Sequence, residues 1–203
     1  MPRRCHGRTR YCWRVLSRRS LLQAGLASGG ALLLPSIASA ATPDSDLAYL
    51  RLLIGVELLS GDFHDRGLGS GKLDADSSGL VTQMRADERA HYSGLATLAT
   101  SLGQIPATSD DIDFTYPAGS FASQSAILKL ASKIEQLALG AYLGAVENVQ
   151  TAQLRLPIGQ IAANEAQHVS VLQKSLGAKP IGRPFATALS IDTVSAALDS
   201  YES

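Results

Sequence analysis

Cysteine is almost missing: the 203 residues contain two, and both, Cys5 and Cys12, fall within the first forty. Beyond residue 40 the chain has neither a disulfide nor a thiolate to offer a metal. Aromatic residues are scarce at 5%, and no basic patch with interleaved aromatics occurs after residue 40, which argues against nucleic acid as a partner. Long apolar runs are lacking as well. The longest candidate, Leu21 to Leu34, is too short to stay in a bilayer as a spanning helix. Acidic residues are absent from the first forty positions, which instead carry seven arginines: Arg3, Arg4, Arg8, Arg10, Arg14, Arg18 and Arg19. What is present elsewhere is enough apolar content, 45% over the whole chain, to fill the core of one globular domain.

The run Ser17-Arg18-Arg19-Ser20-Leu21-Leu22, the modest apolar stretch after it and the small-residue pattern Ala38-Ser39-Ala40 resemble a twin-arginine export signal, with cleavage expected after Ala40. That resemblance implies a periplasmic or secreted protein without a stable membrane anchor. The route carries proteins already folded, often with a cofactor loaded beforehand, and a metal protein would suit it. Removing the signal leaves eleven basic against eighteen acidic residues, a net charge near −7. The expected organisation is a signal at 1–40, a helical domain at 41–178 and a C-terminal extension at 179–203.

Apolar residues spaced three or four apart predict four long helices and only scattered strand signals, so the expected class is all-α. The first runs from about Asp46 to Arg66, with Leu47, Leu50, Ile54, Glu57 and Gly61 on one face, and the glycine-rich 67–71 stops it. The second runs from near Ser77 to Gly103, capped by Asp76 or Ser77, with Leu80, Met84, Glu88, His91, Leu95 and Leu98 in line. A long polar connection containing Pro106 and Pro117 suits a crossover between two halves of a bundle. The third, about Ser123 to Thr151, aligns Ile127, Ala131, Ile134, Glu135, Ala138, Tyr142 and Ala145. The fourth is expected to start near Pro157 and end at Leu176, with Ile158, Ile161, Glu165, His168 and Leu172 as its stripe. An extended tail from Lys179 to Ser190 and a short packing helix from Asp192 to Ser200 complete the pattern.

Each apolar stripe is interrupted by one glutamate, and on two of them a histidine follows three residues later: Glu57, Glu88 with His91, Glu135, and Glu165 with His168. Only six glutamates and three histidines lie beyond residue 40, so this set takes four and two of them. Carboxylates turned into an apolar core cost several kcal/mol each and repel one another, and two divalent cations resolve both problems. Residues three apart share a helical face, so Glu-x-x-His offers a carboxylate and an imidazole to one metal pair. Glu57 and Glu88 are 31 residues apart, Glu135 and Glu165 are 30, and the two halves repeat at 78 and 77. The chain thus reads as a duplicated helical hairpin with its ligands at one depth.

Four neighbouring residues bear on the site. Glu147 stands about 120° round the helix from Glu135 and is read as surface. His64 is read as facing solvent, and Asp87 as an exposed helix position whose alternative is to support a histidine. Tyr142, two turns beyond Glu135, packs in the core or donates a hydrogen bond near the metals, where a redox-active phenol is the sharper reading.

The segments Val56-Glu57-Leu58-Leu59, Asp87-Glu88-Arg89-Ala90-His91, Gly140-Ala141-Tyr142-Leu143-Gly144-Ala145 and Asn164-Glu165-Ala166-Gln167-His168 resemble the exported ferritin-like domain family that includes bacterial desiccation-related proteins. The resemblance covers about Asp46 to Tyr201. It implies a ferritin-like four-helix bundle, Glu135 as the ligand on the third helix, and the segment from Arg183 to Tyr201 as a family extension. The wider superfamily implies two iron or manganese ions acting on dioxygen, peroxide or ferrous iron. With histidine on both paired helices, the ligand set looks more like rubrerythrins, bacterioferritins and manganese catalases than like storage ferritins. The function expected is peroxide or iron detoxification under stress, in a monomer or homodimer. A bundle that binds metal without turnover is the alternative, and a storage cage the third reading.

Overall fold

Asp74, Ser123 and Ser190 each place a side-chain oxygen on a backbone N–H three residues on, and each opens a helix in this way. The computed structural model describes residues 42–202, which fold as five helices with no strand among them beyond an isolated Phe114–Glu202 bridge. They are α1 (Asp44–Gly69), α2 (Ala75–Ser101), α3 (Gln124–Asn148), α4 (Ala152–Ser175) and the short α5 (Ile191–Asp199). The expected export signal lies outside the described residues. No helix among the described residues is long and apolar enough to cross a membrane.

The connections 70–74 and 149–151 are too short for anything but side-by-side hairpins, so α1 packs along α2 and α3 along α4. The two hairpins meet mainly through α1 and α3, while α2 and α4 pack only lightly against each other. The core is the predicted one: Leu50, Ile54, Met84, Leu95, Ile127, Ile134 and Ile158 are all buried from solvent. Each such side chain contributes about 1.5–3 kcal/mol through the water it leaves.

Two boundaries differ from expectation. Asp74, rather than Asp76 or Ser77, caps α2, accepting from the Ser77 amide at 2.8 Å. Helix α4 begins at Ala152, five residues before Pro157, which therefore lies inside the helix. The upstream start has a distant cause. The Asp46 carboxylate, buried in α1, accepts from the Gln150 amide at 3.1 Å and the Thr151 amide at 2.6 Å, fixing the turn that leads into α4. Burial works to raise the Asp46 pKa, but these hydrogen bonds outweigh it and hold the group below its ordinary value.

The C-terminal extension docks through glycine. A Cβ at Gly144 would lie 2.0 Å from the Leu189 carbonyl oxygen, and one at Gly140 would lie 2.6 Å from the Leu189 side chain. The bare backbone of α3 lets Leu189 close in, and its amide donates to the Gly140 carbonyl at 2.9 Å. Helix α5 then lies on α1 and α3, and Tyr201 reaches the crossover, where its carbonyl accepts from the Thr115 amide.

Candidate metal centre

The four interrupted stripes converge. Glu57 on α1, Glu88 and His91 on α2, Glu135 on α3, and Glu165 and His168 on α4 come together in the middle of the bundle, all but His91 fully enclosed. His91 Nδ1 lies 3.4 Å from Glu57, 3.2 Å from Glu88 and 3.0 Å from Glu165. His168 Nδ1 lies 3.1 Å from Glu88, 3.1 Å from Glu135 and 3.4 Å from Glu165. Their rings sit 6.3 Å apart, one at each end of the cluster.

Two ligand groups result, each with donor atoms within 4.8 Å of one another: Glu57, Glu88, His91 and Glu165, and Glu88, Glu135, Glu165 and His168. Glu88 and Glu165 belong to both, so each can give one oxygen to either side. The donor set also fits metal by what it leaves undone. Glu57 Oε2, Glu88 Oε1, Glu135 Oε1 and both Glu165 oxygens are buried without a hydrogen bond, a state that cations relieve.

Without metal, protons do part of that work. Burial raises the carboxyls of Glu57 and Glu135 well above their ordinary value. Burial acts the same way on Glu88 and Glu165, but the histidines beside them win and hold both low. Burial opposes charge on His91 and His168 too, yet the surrounding carboxylates push His91 up to about 12 and His168 well above the usual imidazole range.

The surroundings of the ligands repeat with the same symmetry as the ligands. Tyr142 on α3 donates from its hydroxyl to Glu57 Oε1. Burial first, and the charge of Glu57 next, push its pKa up and keep it a donor. His64 on α1, read from the sequence as facing solvent, is instead fully buried, with Nε2 3.3 Å from Glu135 Oε1. Burial lowers its pKa to about 4, so it is neutral, and neither ring nitrogen completes a hydrogen bond. The reason is positional: seven residues are nearly two turns, which brings His64 back over the face of Glu57 while Asp65 and Arg66 turn outward. The signal was there in the equal offsets from 57 to 64 and from 135 to 142.

Asp87 also departs from expectation. It is only partly exposed, and its Oδ2 lies 3.3 Å from His168 Nε2, leaving Nδ1 to face the cluster, an arrangement that fixes the ring. Glu147 is exposed, as read.

Glutamates and histidines from two paired hairpins, with two carboxylates common to both groups, make a helical bundle with a buried ligand set able to hold metal ions. The family model for the ferritin-like domain matches residues 45–178, and the chain belongs to that family. Among solved structures it is similar to a ferritin-like, diiron-carboxylate protein from Bacillus anthracis str. Ames, with 17% identity and a TM-score of 0.56, covering 66% of this chain and 96% of that one. It is similar also to a hypothetical protein from Methanococcus jannaschii DSM 2661, with 12% identity and a TM-score of 0.56, covering 80% and 95%. At these identities the likeness is one of fold. No curated protein matches the chain.

Proposed function

We propose that this is an exported two-metal carboxylate protein, holding iron or manganese and handling dioxygen, peroxide or ferrous iron as protection against stress. The observation that carries the reading is the overlap of two four-residue ligand groups on Glu88 and Glu165. In it, Glu57 with His91 would hold one ion and Glu135 with His168 the other, the two shared glutamates spanning both. When bound, the ions supply a redox couple and open positions for an oxygen species. The chain's own residues orient the ligands: Tyr142 holds Glu57, and Asp87 turns His168. Export rests on the likeness of residues 17–40 to a twin-arginine signal.

Metal analysis of protein purified from its native compartment tests the reading. About two iron or manganese ions per chain are expected, and a folded protein with only traces of either would refute it. A second reading, a site that ties the bundle together without turnover, is favoured by the light packing of α2 against α4. It predicts that Glu57→Ala with His168→Ala lowers the melting temperature strongly, while the parent shows no oxidase, peroxidase or ferroxidase activity.

A further inference from the structure

A pocket of about 300 Å³ lies between α1, α2 and the crossover, and its lining includes Glu57 and Glu88. It is thus a solvent-side approach to one end of the cluster. Leu58, Ile112 and Phe114 give it apolar walls. On the α1 side the wall includes Gly61, where an added Cβ would meet nothing within 4 Å. That glycine needs no special backbone conformation, since it is helical and its φ is not positive, and it seats no neighbour. Glycine inside a helix weakens it relative to alanine. Its effect here is to leave the pocket open.

The two aspartates at the mouth are already paired. Asp62 is taken up by Arg66 at 2.8 Å and by the Tyr116 hydroxyl at 2.8 Å. Asp65 is held by Arg85 at 2.9 Å and Arg89 at 3.1 Å. The lining as a whole holds four carboxylates, those of Glu57, Glu88, Asp62 and Asp65, against the one guanidinium of Arg89, so its charge does not turn a cation away.

Building on the two-metal reading, we propose that this pocket is the port through which the centre takes a small-molecule substrate, and that Gly61 keeps the port open. The volume lies at the small end of ligand sites, enough for a molecule larger than dioxygen.

The test uses the protein loaded with ferric iron, azide as the anionic probe, and stopped-flow absorbance at the azide-to-iron band. Gly61→Phe is expected to keep the parent's metal content and melting temperature while slowing azide binding by about tenfold or more. Gly61→Ala, which leaves the pocket largely open, is expected to match the parent. If Gly61→Phe does not fold, Gly61→Leu gives a smaller plug and is read in the same way. Parent-like azide rates in the plugged, metal-replete variant overturn the port. A parent that holds no metal overturns the two-metal reading and the port with it, so the two failures are told apart by the metal content of the parent.

Discussion

Tyr142 and His64 stand seven residues after Glu135 and Glu57, and each reaches across to the glutamate of the opposite hairpin. The crossing makes the two ends of the site chemically unequal, a phenol supporting one and a neutral imidazole facing the other. Tyr142→Phe and His64→Ala are each expected to weaken metal binding about 10–100-fold with the fold intact. Site occupancies from anomalous scattering should fall beside Glu57 in the first variant and beside Glu135 in the second; the same end affected in both would defeat the crosswise assignment. Asp46 is a separate case, because its task is to satisfy the two amides ahead of α4. Asp46→Ala is expected to cost about 1–3 kcal/mol near neutral pH. Its folded pKa lies below the ordinary value, so its contribution is present above that value and is lost as pH falls through the folded one. Denaturant midpoints of parent and variant should therefore converge below about pH 4, and a gap that persists there would mean that the carboxylate charge is not what holds the turn. Among the residues, the four glutamates and two histidines of the cluster could be read from the sequence, because a glutamate in an apolar stripe is anomalous and a histidine three residues on shares its face. His64 could not be read so easily, since a histidine near Asp62, Asp65 and Arg66 resembles surface until its offset is compared with that of Tyr142.

The helices themselves were legible from their 3.6-residue period, and what periodicity could not supply was long-range hydrogen bonding. Pro157 signals a helix start locally, but Asp46, more than a hundred residues away in the chain, anchors α4 five residues earlier. The cap of α2 was misplaced by two or three positions because Asp74, Asp76 and Ser77 are all good caps, and only geometry selects among them. The glycines of α3 belong to a family-like segment, yet nothing local in the sequence shows that Gly144 makes room for a residue forty-five positions further on. Gly144→Ala tests that role. Alanine is the better helix former, so propensity alone predicts stabilisation by up to about 1 kcal/mol. The Leu189 carbonyl stands where the methyl would go, which predicts the reverse, a loss of about 1–3 kcal/mol. Hydrogen exchange should rise in α5 before it rises in α3, since the strap would lift while the bundle stays packed. A more stable variant with an undisturbed α5 would show that the extension does not depend on this contact.

At the scale of the molecule, the bundle is tight along α1–α2, α3–α4 and α1–α3, and light between α2 and α4, the two helices that carry Glu-x-x-His. Ions shared by Glu88 and Glu165 would join those helices, so metal binding and folding should be coupled. Binding to the native state alone adds about 4 kcal/mol of stability at a thousandfold excess over Kd. For a domain of this size that is a rise of about 8–16 °C in melting temperature. The gain must depend on pH, because the metal takes positions that protons hold. His91 and His168 keep their protons to high pH and Glu57 and Glu135 are pushed toward the protonated form, so loading releases protons. Lowering the pH favours the protonated cluster and reduces affinity; raising it favours the metal. Scanning calorimetry with and without manganese at about pH 5 and about pH 8 should give the larger temperature gain at the higher pH, and amide exchange should slow most in α2 and α4. Equal gains at both values would mean that the added ions bind outside the histidine-bearing cluster, since a site whose donors must first lose protons cannot be indifferent to their concentration.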